Sequence, residues 1–308
     1  MGLAKTILKV VAKGYGFIQE ERGHTPTTLL NYISNNPDFL PPLIEPAQSI
    51  DSESVVKWHL WGNPSLEYAS EPTPFELRCW DFHGGQHGGF VATIPEMEDF
   101  CTFSVVPDWQ CDIQDIEGLT NSKTDLRKYS SMDSFAQYGT HKLIDDLTEE
   151  QLFKVLAHHE IRIIHTPGTS DCFIKRAWDK RLFLSNGGGS HHLAAARYIA
   201  GRLKIKVALQ GRLNTYLLNL QAIKALQRKF CIYTISNKPK HLLGFRNAMF
   251  RFRASYGWSD LPRPYNFQAI AIFLPKDEPR SLSAALYLSD AKAFNLGLYL
   301  YDLANNQR

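Results

Sequence analysis

At 308 residues, with 44% hydrophobic and 21% charged residues, the chain has the usage of a globular protein of one large or two ordinary domains, which excludes a fibrous, disordered or low-complexity chain. Its net charge of +3 is a sum of unlike parts: 14 basic and 26 acidic residues over 1–179 give −12, fifteen basic and no acidic residues over 180–259 give +15, and five of each over 260–308 cancel. The odd set Cys79, Cys101, Cys111, Cys172 and Cys231 contains no C-x-x-C pair, so neither a disulfide framework nor a thiolate zinc site is expected, and the reducing cytoplasm is the expected compartment.

In chain order, Met1–Val11 reads as a short amphipathic helix whose Lys5 and Lys9 interrupt any run long enough for a signal peptide or membrane span. Four β-branched and aromatic runs follow, Val55–Trp61, Phe75–Phe82, Gly89–Ile94 and Phe100–Val106, and their spacing predicts an antiparallel meander. Residues 107–146 are polar and acidic and read as a long loop with at most short helices. Thr148-Glu149-Glu150-Gln151 is a capping box that opens a helix through Leu152, Phe153, Val155 and Leu156. Strands are expected at Ile161–Ile164, Arg181–Leu184 and Ile205–Leu209, with an alanine-rich helix at Leu193–Leu203 between the last two. Beyond them the pattern predicts a helix at 214–229, a strand Cys231–Ile235, a basic helix at 240–253, a strand Phe267–Leu274 and a closing helix near 291–303. The fold expected is mixed α/β, with a β-rich acidic region at 1–146, a central unit at 147–217 and a C-terminal α/β region at 218–308 packed on it.

The most informative string is Ser185-Asn186-Gly187-Gly188-Gly189-Ser190-His191-His192, at the junction of a strand and a helix inside the acid-free segment. Glycines let the backbone take positive φ and approach a ligand closely, and a helix start presents free N–H groups to an anion. Ser190 falls at or next to the N-cap, His191 and His192 lie in the first turn where they can donate to phosphate oxygens, and Arg197 lies farther along the same helix. The plainer explanation of such a turn is tight packing of helix on strand.

Extended through Leu193-Ala194-Ala195, the string resembles the S-F-G-G-C-H-R-Y-A-A signature of sulfiredoxins and the related G-x-H-R or G-E-R-R box of ParB-type partition proteins. The resemblance spans about residues 147–217 and implies a nucleotide site, ATP or CTP, with the triphosphate on the turn and His191 and His192 in the places of the family's histidine and arginine. Ser190 stands where sulfiredoxin has its catalytic cysteine, so sulfinic acid reduction is not expected. His192 replaces a permanent bidentate cation by a titratable group, and one glycine is extra.

Because the basic segment holds no carboxylate, a magnesium ligand or general base must come from elsewhere, with Asp81, Asp171, Asp179 and Glu160 as candidates. Asp81 precedes His83-Gly84-Gly85-Gln86-His87, which reads as a glycine-rich hairpin with exposed histidines or as a loop closing over a nucleotide. Lys238, Lys240, Arg246, Arg251 and Arg253 interleave with aromatic residues, which suits DNA or RNA, although Phe245, Met249 and Phe252 at helical spacing fit an amphipathic helix with a basic outer face. The functional expectation is therefore nucleotide binding at Asn186 to His192, with Ser190, His191 and Asp81 as catalytic candidates should phosphoryl transfer or hydrolysis follow. A non-enzymatic protein binding nucleic acid, or a protein partner through the acidic region, is the competing expectation.

Overall fold

The computed structural model describes residues 16, 18–62 and 75–307, so the expected helix Met1–Val11 lies outside the described residues. The chain is a mixed α/β protein with two five-stranded sheets. It divides into two compact units, one of residues 1–44, 60–100 and 219–305, the other of residues 45–59, 101–218 and 306–308. These units group segments distant in sequence, where the sequence pattern suggested three consecutive regions. Among the described residues no helix is long and apolar enough to cross a membrane.

The first unit holds α1 (Thr27–Asn35) and strands β1 (Glu76–His83) and β2 (Gln86–Thr93). The hairpin joining β1 to β2 turns on Gly84 and Gly85, both at positive φ, which a two-residue turn matched to strand twist requires. The fourth run expected in that meander, Phe100–Val106, belongs instead to β3 (Cys101–Asp112) in the sheet of the other unit. The rest of the first unit comes from the C-terminal third: α5 (Leu220–Lys229), β8 (Phe230–Ser236), α6 (Pro239–Phe252), β9 (Tyr256–Asp260), β10 (Ala269–Pro275), α7 (Pro279–Asp290) and α8 (Leu296–Asn305). Its sheet, ordered β2-β1-β9-β10-β8, is antiparallel throughout. Phe245, Met249 and Phe252 of α6 and Ala284, Ala285 and Leu288 of α7 share a core with Ile270, Ile272 and Leu274 of β10.

In the second unit the sheet order is β3-β7-β5-β6-β4, where β4 is Ile116–Leu119, β5 Cys172–Arg176, β6 Leu182–Ser185 and β7 Ala208–Leu218. The parallel pairs β4·β6 and β5·β7 set the strand ends that carry the glycine turn. Helices α2 (Met132–Gly139), α3 (Glu149–Leu156) and α4 (Ser190–Leu203) pack together through Phe135, Leu152, Val155, Leu193 and Ile199. Small buried side chains at Ala194, Ala195, Ala196 and Ala200 let α4 seat closely while favouring helix, and the helix stops at Lys204 in the left-handed conformation.

Several expectations are corrected here. Val55–Trp61 is not a strand: Val55, Val56, Trp58 and His59 are all buried, and the Trp178 indole donates to the Val56 carbonyl. Ile161–Ile164 is part of a single helical turn, Arg162–His165, because a four-residue apolar run has no period to separate strand from helix. The expected loop 107–146 instead continues β3 past a bulge beside Pro107, then forms β4 and the Ser131-capped α2. β7 runs through the start of the helix expected at 214, and Asn219 caps α5 by accepting from the amides of Gln221 and Ala222. β5, β9 and α7 are elements the pattern did not mark, and the expected closing helix is α8. At Thr148 half of the capping box forms: its hydroxyl accepts from the Gln151 amide at 3.2 Å, while the Gln151 side chain donates to the Leu143 carbonyl.

Candidate anion-binding cleft at the glycine turn

β6 ends at Ser185 and the chain reaches α4 through Asn186 and three glycines. Parallel pairing of β4 with β6 brings the loop after Leu119 alongside this turn. Buried Asn186 ties the two together: its side-chain oxygen accepts from the Asn121 amide at 3.3 Å, and its NH2 donates to the carbonyls of Asn121 and Gly188, each at 3.0 Å. Asn186 thus builds the turn, its amide group being consumed by backbone partners.

The three glycines differ in what requires them. Gly189 has φ 68°, and a Cβ there would lie 2.6 Å from the Glu160 carbonyl oxygen, so both conformation and space demand glycine. A Cβ at Gly188 would meet only ordinary contacts at 3.5 Å, and one at Gly187 would meet the Arg162 guanidinium. Gly189 is the N-cap of α4 and supplies no side-chain acceptor, nor is there an acidic residue in the first turn. The helix's leading N–H groups are left to an external acceptor.

Beside this helix start lies a cleft of about 450 Å3 with three walls: Asn121, Ser122 and Lys123; His158 and Glu160; and the turn from Gly187 to His192. The His192 ring stacks on His158 at 3.5 Å and 13°, and His158 stacks on His159 at 5.0 Å. His191 is engaged at both nitrogens, Nε2 with the Thr124 hydroxyl at 2.9 Å and Nδ1 with Ser190 Oγ at 3.4 Å; Ser190 in turn donates to Ser122 Oγ at 3.0 Å. Burial, helped by Lys123, lowers the pKa of His191; burial, helped by His158, lowers that of His192. Both rings therefore favour the neutral form near pH 7; neutral His191, engaged at both nitrogens, offers an anion an N–H only on protonation or on release of Thr124 or Ser190, while Lys123 is the lysine or arginine among the lining residues.

Two carboxylates bear on the site. Glu160 lines it, and buried Asp171 accepts from the Gly187 amide at 2.9 Å, so one N–H of the turn serves an internal anion. Asp179 is occupied elsewhere, chelated by Arg181 at 2.7 and 2.8 Å. Among the described residues no group of three His, Cys, Asp or Glu could hold a metal ion, and with Glu160 as the single lining carboxylate the donors do not make a magnesium site on their own.

Arg197 does not join the cleft. Six residues past His191, Arg197 points to another side of α4, where its guanidinium donates to Asp133 at 2.7 Å and to the Gln114 carbonyl. Asp81 lies on β1 of the other unit and accepts a hydrogen bond from Ser255. His83 is exposed at the hairpin end, and His87 stacks on Phe250 at 4.2 Å.

On α6 the apolar stripe is buried, and several expected nucleic-acid contacts already have partners. Lys238 and Lys240 both reach Asp38, Arg253 reaches Glu21, and the Arg246 guanidinium lies 4.8 Å over Trp80, while Arg251 is exposed. Sequence reasoning missed the wall Asn121 to Lys123 and the partner Thr124. The polar run Asn-Ser-Lys-Thr was visible, but not the parallel strand pairing that places it.

No curated protein and no solved structure matches the chain. A family model does, over residues 106–308, a span that includes every residue lining the cleft. The chain belongs to this family, DUF6685, a family of unknown function.

Proposed function

We propose that the protein binds a phosphorylated small molecule of the nucleotide class, ATP or CTP being the forms the ParB and sulfiredoxin resemblance suggests, with a phosphoryl group on the turn from Gly187 to His192. One observation carries this reading: the uncapped start of a fourteen-residue helix, preceded by glycine backbone, opens on a 450 Å3 cleft. The charge balance favours one seated phosphoryl group, since Lys123 and the neutral His192 imidazole stand against Glu160. The remaining phosphates of a triphosphate would extend toward solvent, and magnesium would arrive with them.

For turnover, the group placed to handle a proton is His191, whose neutral ring joins the hydroxyls of Thr124 and Ser190. Its unpaired odd cysteine set leads us to place the protein in the cytoplasm. The test is a thermal-shift comparison of ATP, CTP, GTP, ADP, NAD and inorganic phosphate, with and without magnesium, on wild type and His191→Ala. A ligand that raises the midpoint of wild type by several degrees and of the variant by much less supports the reading. Equal shifts in both proteins, or none in wild type, overturn it.

A further inference from the structure

We propose a second binding site, in the first unit and independent of the cleft, for a planar aromatic molecule bearing one anionic group such as a carboxylate or sulfonate. Between α6 and the sheet lies a cavity of about 330 Å3, within the range of about 300–1,000 Å3 usual for small-ligand pockets. Its floor follows from strand register. Arg78, Trp258, Ile272 and Tyr233 form one cross-strand row, Trp80 and Tyr256 the next, and Ile235 and Ile270 pair beyond Ile272. Leu242, Leu243, Phe245 and Arg246 of α6 supply the roof.

Such walls are mostly aromatic and aliphatic, with the indole N–H groups of Trp80 and Trp258 and the Tyr256 hydroxyl as their neutral polar groups, so the buried part of the ligand must be mainly apolar. Trp80 and Trp258 are only partly buried and sit diagonally on neighbouring strands, so both indoles border the same occupant.

The charged group of the lining is Arg246, whose guanidinium lies 4.8 Å over Trp80, and Arg78 lies 4.7 Å over Trp258. Among the described residues neither arginine has a carboxylate partner, although Lys238, Lys240 and Arg253 at the two ends of α6 do. Asp260 is exposed on β9 and does not line the cavity. An arginine stacked on an indole keeps its N–H edge free for a bidentate carboxylate, so ring and charge of one ligand would be met together.

The experiment titrates the full-length protein with 2-naphthoate, its neutral analogue 2-naphthylmethanol and the aliphatic decanoate, read by calorimetry and ligand-observed NMR. Arg246→Gln and the cavity-filling Leu242→Trp are compared with wild type. Naphthoate should bind wild type saturably and at least tenfold more tightly than either comparison compound. Arg246→Gln should erase most of that advantage while leaving the alcohol unchanged, and Leu242→Trp should weaken all three. Absence of saturable naphthoate binding, equal affinity for the alcohol, tighter binding of decanoate, or indifference to Arg246→Gln would each overturn the proposal. Should Leu242→Trp not fold, the charge comparison and Arg246→Gln still decide.

Discussion

Gly189 is the residue at which one added methyl group decides whether the turn exists. An alanine there meets both a left-handed backbone and the Glu160 carbonyl at 2.6 Å, and neither can be relieved without moving main chain. Gly189→Ala should lose about 2 kcal/mol or more in urea unfolding, from strain of about 1–3 kcal/mol plus the clash. Gly188→Ala, with its nearest contact at 3.5 Å, should change stability little, and Gly187→Ala should fall between because the Arg162 side chain can swing aside. Equal losses across the three would refute this ordering. Asp171 gives the complementary test. Its carboxylate already occupies the Gly187 amide, so Asp171→Asn keeps an acceptor for that N–H while removing a negative charge beside the turn. Inorganic phosphate should then bind several-fold more tightly by calorimetry, and an unchanged or weaker affinity would place the anion away from Gly187.

At the scale of elements, the start of α4 couples protonation to anion binding. Burial holds the folded pKa of His191 and His192 below the unfolded value, so the unfolded chain takes up more protons as pH falls through the window beneath about 6.5. Their contribution to stability is complete above that pH and is lost on acidification toward the lowered folded values; buried His59 and half-buried His87 act in the same direction. A bound anion does the reverse, favouring the protonated rings. Between pH 7.5 and 5.5 the ligand-free melting temperature should fall while the upshift produced by sulfate, whose charge is constant over this range, should grow. A sulfate effect that shrinks with acidification would remove the histidines from the site. The turn, α4, the start of α3 at Thr148 and the buried stripe of α6 were legible in the sequence because each rests on local spacing. The opposite wall was not, because Asn121 and Asn186 are 65 positions apart and meet only through β4·β6 pairing. Ile161 to Ile164 misled for another reason: an apolar run too short to carry a period is settled by its surroundings.

Across the whole molecule, the division of charge along the chain resolves into local pairs within each unit. In the first, Asp38 holds Lys238 and Lys240, Glu21 holds Arg253, and Glu96 holds Lys229; in the second, Asp133 holds Arg197 and Asp179 holds Arg181. Acids of the N-terminal part thus neutralise much of the basic segment, which leaves less free cation on α6 for a nucleic-acid backbone than the sequence suggested. These pairs are not equivalent. The lysines around Asp38 are more than half exposed, and Asn would keep an acceptor for buried His241, whose Nε2 lies 3.1 Å from the Asp38 carboxylate, so Asp38→Asn should change urea stability little at moderate salt while releasing two cations, seen as later elution from heparin. The side chains of Arg181 and Asp179 are only 11% and 17% exposed, and Arg181 also donates to the Ser49 carbonyl and lies over the Phe183 ring. Removing the carboxylate charge there strands a guanidinium with little access to water. Asp179→Asn should therefore cost about 3 kcal/mol, the order found for breaking a buried pair, and the loss should be similar in about 0.1 M and about 1 M salt, between which the Debye length falls from about 10 Å to about 3 Å. A loss that vanishes at the higher salt would show the pair to be screened like the one at Asp38, and would leave β6 and the glycine turn it carries without a fixed electrostatic anchor beneath them.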